Sequence, residues 1–198
     1  YQWQDSPDGI TFTDVAAGGN GATYDPGSLI ADTWFRLVVT STLNTIPCVK
    51  ETNVIKVTVN NFVPGSIAGE QTICEGSFPT PFTSVTPTGD GMFSYQWMSS
   101  SDGINFTDLP GALFETYISG ALTQDTWFKR EVTSTIGLNS CVEETNIIKV
   151  TVNNFIPGSI STDQTVCEGQ IPAAFASIAP VGDGTFTYQW RRSLDGIN

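Results

Sequence analysis

Histidine is absent from the 198 residues, and basic side chains are scarce, 8 against 20 acidic ones. Without an imidazole, Ser-His-Asp and Cys-His nucleophile arrangements cannot be built from this sequence, and histidine-ligated zinc is excluded with them. A formal net charge of −12 repels a phosphate backbone and anionic lipid, so no nucleic-acid partner is expected. No apolar run is long enough to cross a bilayer and no signal peptide is recognisable, so no membrane insertion is expected within this stretch and targeting information is expected outside it. Only 4 cysteines occur, none as C-x-x-C, which disfavours thioredoxin-type and cysteine-only zinc sites. The remaining enzymatic route is a carboxylate pair, as in glycosidases, which sequence alone does not place across a substrate. The chain is therefore expected to be no enzyme, with no catalytic residue, no metal and no cofactor.

What the sequence does contain is an internal repeat. YQWMSSSDGINFTDL (Tyr95 to Leu109) is nearly copied at Tyr1 to Val15 and begins again at Tyr188. Residues 32–91 and 125–184, aligned at an offset of 93, are identical at 37 of 60 positions. The one length difference falls between Val15 and Tyr24 against Leu109 and Tyr117, as expected of an exposed loop. The repeat divides the chain into the C-terminal part of a first copy (1–62), a complete copy (63–155) and the N-terminal part of a third (156–198). The chain reads as a window of something longer.

With 19 Gly, 11 Pro and many β-branched residues, and with no sustained helical periodicity, each copy reads as a β meander. Phe93, Tyr95 and Trp97 alternate with polar neighbours, Asp102-Gly103 forms a turn, and Ile104 to Thr107 returns, so Tyr95, Trp97, Asp102, Gly103 and Phe106 make a core hairpin. Glu115 to Ser119 is expected as a short strand. Ile148, Val150 and Val152 face inward, and Ile55, Val57 and Val59 repeat that face. About seven short strands per copy indicate an all-β fold of immunoglobulin-like sandwiches joined end to end. TVNNFVPGSI and TVNNFIPGSI join the copies without a Gly/Ser spacer, placing Phe62, Pro64, Phe155 and Pro157 at inter-repeat seams.

Binding candidates are few. Trp3, Trp97 and Trp190 are expected in the core. Trp34 and Trp127 fall on the opposite face from Phe35 and Phe128; capping the sandwich end or stacking on a basic stem is the preferred role, and a sugar platform the alternative. Asp8, Asp102 and Asp195 each precede Gly, so a turn explains them, and Asp5 becomes Ser99 and Arg192, which argues against a repeated calcium cage. Asn105-Phe-Thr107 matches a glycosylation acceptor, a pattern of low specificity in a chain this rich in Asn and Thr. Cysteines recur at 141 − 48 = 93 and 167 − 74 = 93, suggesting structural disulfides in an oxidising setting. Cys74 can pair with Cys141 inside one copy or with Cys48 across the seam; the first closes the longer loop, ~3 to 5 kcal/mol, and is preferred.

TICEG (Thr72 to Gly76), YQW followed by DG-I-x-F, D-T-W-F-(R/K) and C-V-x-E-T-N-x-I-K-V-T-V together resemble the Ig-like tandem repeats of giant surface adhesins of gliding Bacteroidota, the SprB type. The resemblance covers the whole chain. It implies export by the type IX system, an extracellular location at the outer membrane surface, and filaments that serve attachment and gliding motility; it supplies no catalytic residue. The expected function is a structural, adhesive stalk whose partners are neighbouring repeats and an extracellular polysaccharide or surface. Two alternatives stay open, a carbohydrate-binding repeat and an accessory region of a secreted polysaccharide-degrading enzyme.

Overall fold

The computed structural model describes residues 1–161 and 163–194, and among them there is no helix. The strands run β1 (Gln2–Ser6), β2 (Thr13–Asp14), β3 (Thr33–Leu43), β4 (Ile46–Glu51), β5 (Ile55–Val57), β6 (Phe62–Val63), β7 (Ser66–Ala68), β8 (Gln71–Cys74), β9 (Thr83–Val85) and β10 (Thr88–Gly89). They continue as β11 (Met92–Ser100), β12 (Thr107–Asp108), β13 (Thr126–Ile136), β14 (Asn139–Glu144), β15 (Ile148–Asn153), β16 (Phe155–Ile156), β17 (Ser159–Ile160), β18 (Ser177–Ile178) and β19 (Val181–Gly182). The protein is all-β.

Two compact units emerge, and they do not follow the repeat boundaries. The first comprises 1–64, 87–93 and 133–143. In it β1 pairs with β2 and β3, and β3 pairs also with β4 and β5, all antiparallel. β6 pairs with β10, setting Phe62 opposite Gly89.

The second unit comprises 65–86, 94–132 and 144–198 and holds the main core. Its large sheet has the order β12-β11-β13-β15-β8, and β7 with β9 forms a separate two-stranded sheet. Ile67 and Phe82 from the small layer meet Trp97, Phe128, Ile148 and Val150 from the large one, all buried. Phe82 lies with its ring centroid 4.9 Å from Phe128 and 5.8 Å from Trp97, tilted and offset as aromatic quadrupoles prefer. Sheet on sheet over a shared apolar interior is the sandwich arrangement. Its origin in sequence is visible in β13, where Phe128, Arg130, Val132 and Ser134 are buried and their neighbours are not.

Several expectations require correction. Glu115 to Ser119 is not a strand; Tyr117 only accepts a bond from Phe82 N and stacks in the core. The return arm of the hairpin begins at Thr107, so residues 101–106 form a loop and not a two-residue turn. β8 is an edge strand as expected, but it lies parallel to β15, so the copy is no simple meander. Trp97 is buried, whereas Trp3 is half-buried and Trp190 exposed. Ile55 and Val57 are exposed and Val59 half-buried, β5 pairing with β3 alone among the described residues.

Candidate functional site

The loop after the YQW strand is built by Ser100, the last residue of β11. Ser100 Oγ accepts from Gly103 N at 2.9 Å and Asp102 N at 3.1 Å, and donates to Asp102 Oδ1 at 2.7 Å. Asp102 in turn accepts from Ile104 N and Asn105 N at 2.8 Å and from Asn105 Nδ2 at 2.7 Å. Bonds from Asn105 N foremost, then from the Ser100 hydroxyl, hold the Asp102 carboxyl well below the usual aspartate range. Ser6, Asp8 and Gly9 repeat the construction. The signal was legible as S-x-D-G in all three copies, though Asp195 lies outside the described residues. Oδ1 accepts three of these bonds and Oδ2 one, so the carboxylate is the centre of its own loop.

This loop covers Trp127. Gly103 adopts φ 74°, and a Cβ there would stand 3.1 to 3.3 Å from three atoms of the Trp127 pyrrole ring. Only a glycine permits that approach with that backbone. Lys149 Nζ lies 4.8 Å from the Trp127 ring centroid and 2.6 Å from Asp125 Oδ2. Gly9 and Lys56 treat Trp34 in the same way. Trp34 and Trp127 thus each lie against a glycine and a lysine stem. A nearby groove lined by Ser99, Ser101, Asn105, Thr107, Gln124 and Thr126 is hydroxyl-rich, but Trp127 does not line it. Phe106, expected in the core hairpin, is half-buried under Lys129 Nζ, 4.6 Å from its centroid, and belongs to no core cluster.

Tyr95 has a partner that alternation alone did not foresee. Arg130, fully buried in β13, has its guanidinium carbon 4.9 Å from the Tyr95 ring centroid and donates through Nη1 at 2.6 Å to Ser84 Oγ and to Glu115 O. Burial depresses the guanidinium's proton affinity, and Glu115, whose carboxylate accepts from Thr86 Oγ1 at 2.8 Å, offsets part of that. Tyr95 is pushed up, chiefly by burial. The two-residue period sets Arg130 on the face of Phe128 and Val132, and the bonds to Ser84 Oγ and Glu115 O are what accommodate its charge there.

The seams recur with one geometry. Asn61 O accepts from Asp90 N at 2.8 Å, and Asn154 O accepts from Asp183 N at 2.8 Å. Phe62 pairs with Gly89 and Phe155 with Gly182. Gly89 and Gly182 have positive φ, and a Cβ on either would stand 2.3 Å from the asparagine carbonyl oxygen. Phe62 meets Phe93 at 5.9 Å and Phe155 meets Phe186 at 6.1 Å, while Pro64 and Pro157 lead out of the paired strands. Asn60 Nδ2 also donates to Ser134 O, and Ser134 Oγ lies 2.9 Å from Asn60 Oδ1.

Cys48, Cys74, Cys141 and Cys167 are all free and exposed.

A family model described as Domain of unknown function (DUF8696) matches three stretches of the chain, residues 1–61, 63–154 and 156–198. No curated protein and no solved structure matches it.

Proposed function

We propose, for a chain that belongs to this domain family of unknown function, a structural role as the repeated stalk of a long cell-surface adhesin. The observation that carries this reading is the seam, made twice from the same residues in the same pairing, Asn61-Phe62 on Gly89-Asp90 and Asn154-Phe155 on Gly182-Asp183. A junction hydrogen-bonded into the following copy's own turn has little of the freedom of a Gly/Ser linker. Load along the chain would then pass through backbone pairing. The partners are the neighbouring copies, and an extracellular polysaccharide or surface reached at the far end. Location at the outer cell surface, export by the type IX route and service in gliding rest on the resemblance to giant surface adhesins alone, because the cysteines form no bond that would speak for an oxidising compartment.

The carbohydrate-binding alternative draws less support, since Gly103 occupies the Trp127 ring that a sugar would stack on. An accessory region of a polysaccharide-degrading enzyme has no feature of its own to support it. The test is X-ray scattering from polypeptides carrying two, four and six copies. Maximum dimension is expected to grow linearly with copy number, by about 35 to 40 Å per copy if ~10-residue strands run lengthwise. A maximum dimension that levels off would sink the stalk, and a specific polysaccharide titrating Trp127 fluorescence would revive the alternative.

A further inference from the structure

The tryptophans of the first two YQW motifs are each held by two carbonyls that stand two residues apart. In the middle copy Trp97 N donates to Ala112 O at 3.0 Å and Trp97 Nε1 to Phe114 O at 2.9 Å. In the first copy Trp3 N donates to Gly19 O at 2.7 Å and Trp3 Nε1 to Gly21 O at 3.1 Å. Between the two carbonyls lies one residue that takes no part in the clamp, Leu113 in the middle copy and Asn20 in the first, and both are exposed. Because the complete copy has the same clamp with the same outward residue, the exposure of this position belongs to the fold of a copy. Leu113-Phe114 is chemically inert there, and Asn20-Gly21 is not.

Asparagine followed by glycine is the dipeptide most open to attack by the backbone on its own side chain, since glycine has no Cβ to shield the attacking nitrogen. We propose that Asn20 is a self-modification site whose conversion releases the Trp3 clamp. Gly21 N attacks Asn20 Cγ and closes a five-membered imide; the Cγ–Nδ2 bond breaks, and Nδ2 leaves as ammonia with the proton that Gly21 N gives up. Water then opens the imide. Addition at Cγ gives an aspartate, and addition at the main-chain carbonyl gives an isoaspartate whose backbone runs through the side-chain methylene. Both products carry one more negative charge. The isoaspartate also inserts one main-chain atom between the Gly19 and Gly21 carbonyls, which then no longer match the spacing of N and Nε1 on one tryptophan.

Elsewhere the chain shows what protection against the same ring closure looks like. Asp8-Gly9 and Asp102-Gly103 have the atoms for it, but Gly9 N and Gly103 N each donate to a serine hydroxyl at 2.9 Å. Their carboxyls are held in place by the backbone N–H groups of Ile10, Thr11, Ile104 and Asn105. An ionised carboxylate is in addition a poor target for a nitrogen nucleophile. Among the described residues no side chain hydrogen-bonds the Gly21 N–H, and the Asn20 side-chain amide makes no hydrogen bond. The site is independent of the stalk reading.

The test is ageing of the folded chain in mildly alkaline buffer, followed by peptide mapping with isoaspartyl methyltransferase labelling. The Asn20 peptide is expected to turn into aspartyl and isoaspartyl forms, with an equal amount of ammonia released and a rate proportional to hydroxide concentration. The Asp8 and Asp102 peptides are expected to stay unlabelled over the same period. Asn20→Gln, at an exposed position, is expected to lose the label from that peptide and leave the thermal transition where it was. By NMR the Trp3 indole N–H is expected to shift and to exchange faster with solvent in step with isoaspartate, while the Trp97 indole N–H stays put. A peptide of residues 15–24 is the unfolded reference: if it converts and Asn20 in the folded chain does not, the fold guards the site and the proposal fails. Labelling at Asp102 ahead of Asn20 overturns it too. So does a converted chain whose Trp3 indole N–H has not moved.

Discussion

Strands β5 and β15 carry the same Ile-Lys-Val, followed in both copies by Thr-Val-Asn, yet one buries alternate side chains and the other buries none. The difference lies in what lies over them. β15 has β8 at its edge and the β7 and β9 layer on its face, and β5 has only β3. Period-two alternation therefore tells which residues share a face, while a second layer makes that face a core. A second contrast is chemical. Where the middle copy buries Arg130 and sets Glu115 nearby, the first copy has Leu37 and Ala22, so one site is solved once with charge and once with apolar groups.

The largest effect that would sharpen this contrast is at the tryptophans. Trp97→Ala removes the centre of the aromatic cluster and should cost about 4 kcal/mol in urea unfolding, while Trp3→Ala, at a half-buried site, should cost less than half of that. Arg130→Leu should destabilise by about 2 to 3 kcal/mol, because Ser84 and the Glu115 carbonyl lose a buried donor. Adding Glu115→Ala, which restores the first copy's pairing, should recover part of the loss in a double-mutant cycle; strict additivity would break the idea that the two positions act together. Val150→Ala should cost about 2 kcal/mol and Val57→Ala no more than about 0.5 in the monomeric chain.

The seams allow a finer comparison. Asn60→Ala should cost about 1 kcal/mol, since Ser134 loses both of its contacts with that side chain. Asn153→Ala should be close to neutral, because the Asn153 Oδ1 atom is buried with no hydrogen-bond partner. Equal losses at the two would remove Ser134 from the account. The smallest effect concerns acid. Asp102 and Asp8 are both held below the ordinary aspartate range, by Asn105 N and Thr11 N respectively before other donors. A carboxyl lowered in the folded state stabilises above its unfolded value near 3.9 and loses that contribution as pH falls toward the folded one. Asp102→Asn and Asp8→Asn should each flatten the fall in thermal midpoint below about pH 4, Asp102→Asn the more, because only Asp102 also accepts a side-chain N–H from Asn105.

Much of this was readable before any coordinates. The alternation Phe93-Tyr95-Trp97 placed Trp97 inside, and D-T-W-F placed Trp127 on the face opposite Phe128. The Arg130 site was not readable, because its partners Ser84 and Glu115 are distant in sequence and each is unremarkable alone. For the cysteines, loop length favours Cys74 with Cys141, and spacing alone carries no information on strand register. Nor was the parallel pairing of β8 with β15, since neighbouring strands in a repeat of this length suggest antiparallel returns.

The linear pattern by itself established an all-β chain built from 93-residue copies, with glycines where the backbone must turn left-handed or approach a neighbour closely. Those are local properties, governed by steric limits on φ and ψ and by the two-residue period of a strand. Which arginine is buried and which asparagine finds a serine were decided only in three dimensions. Burial is a relation between layers, and the same residues take it or forgo it according to what is packed against them.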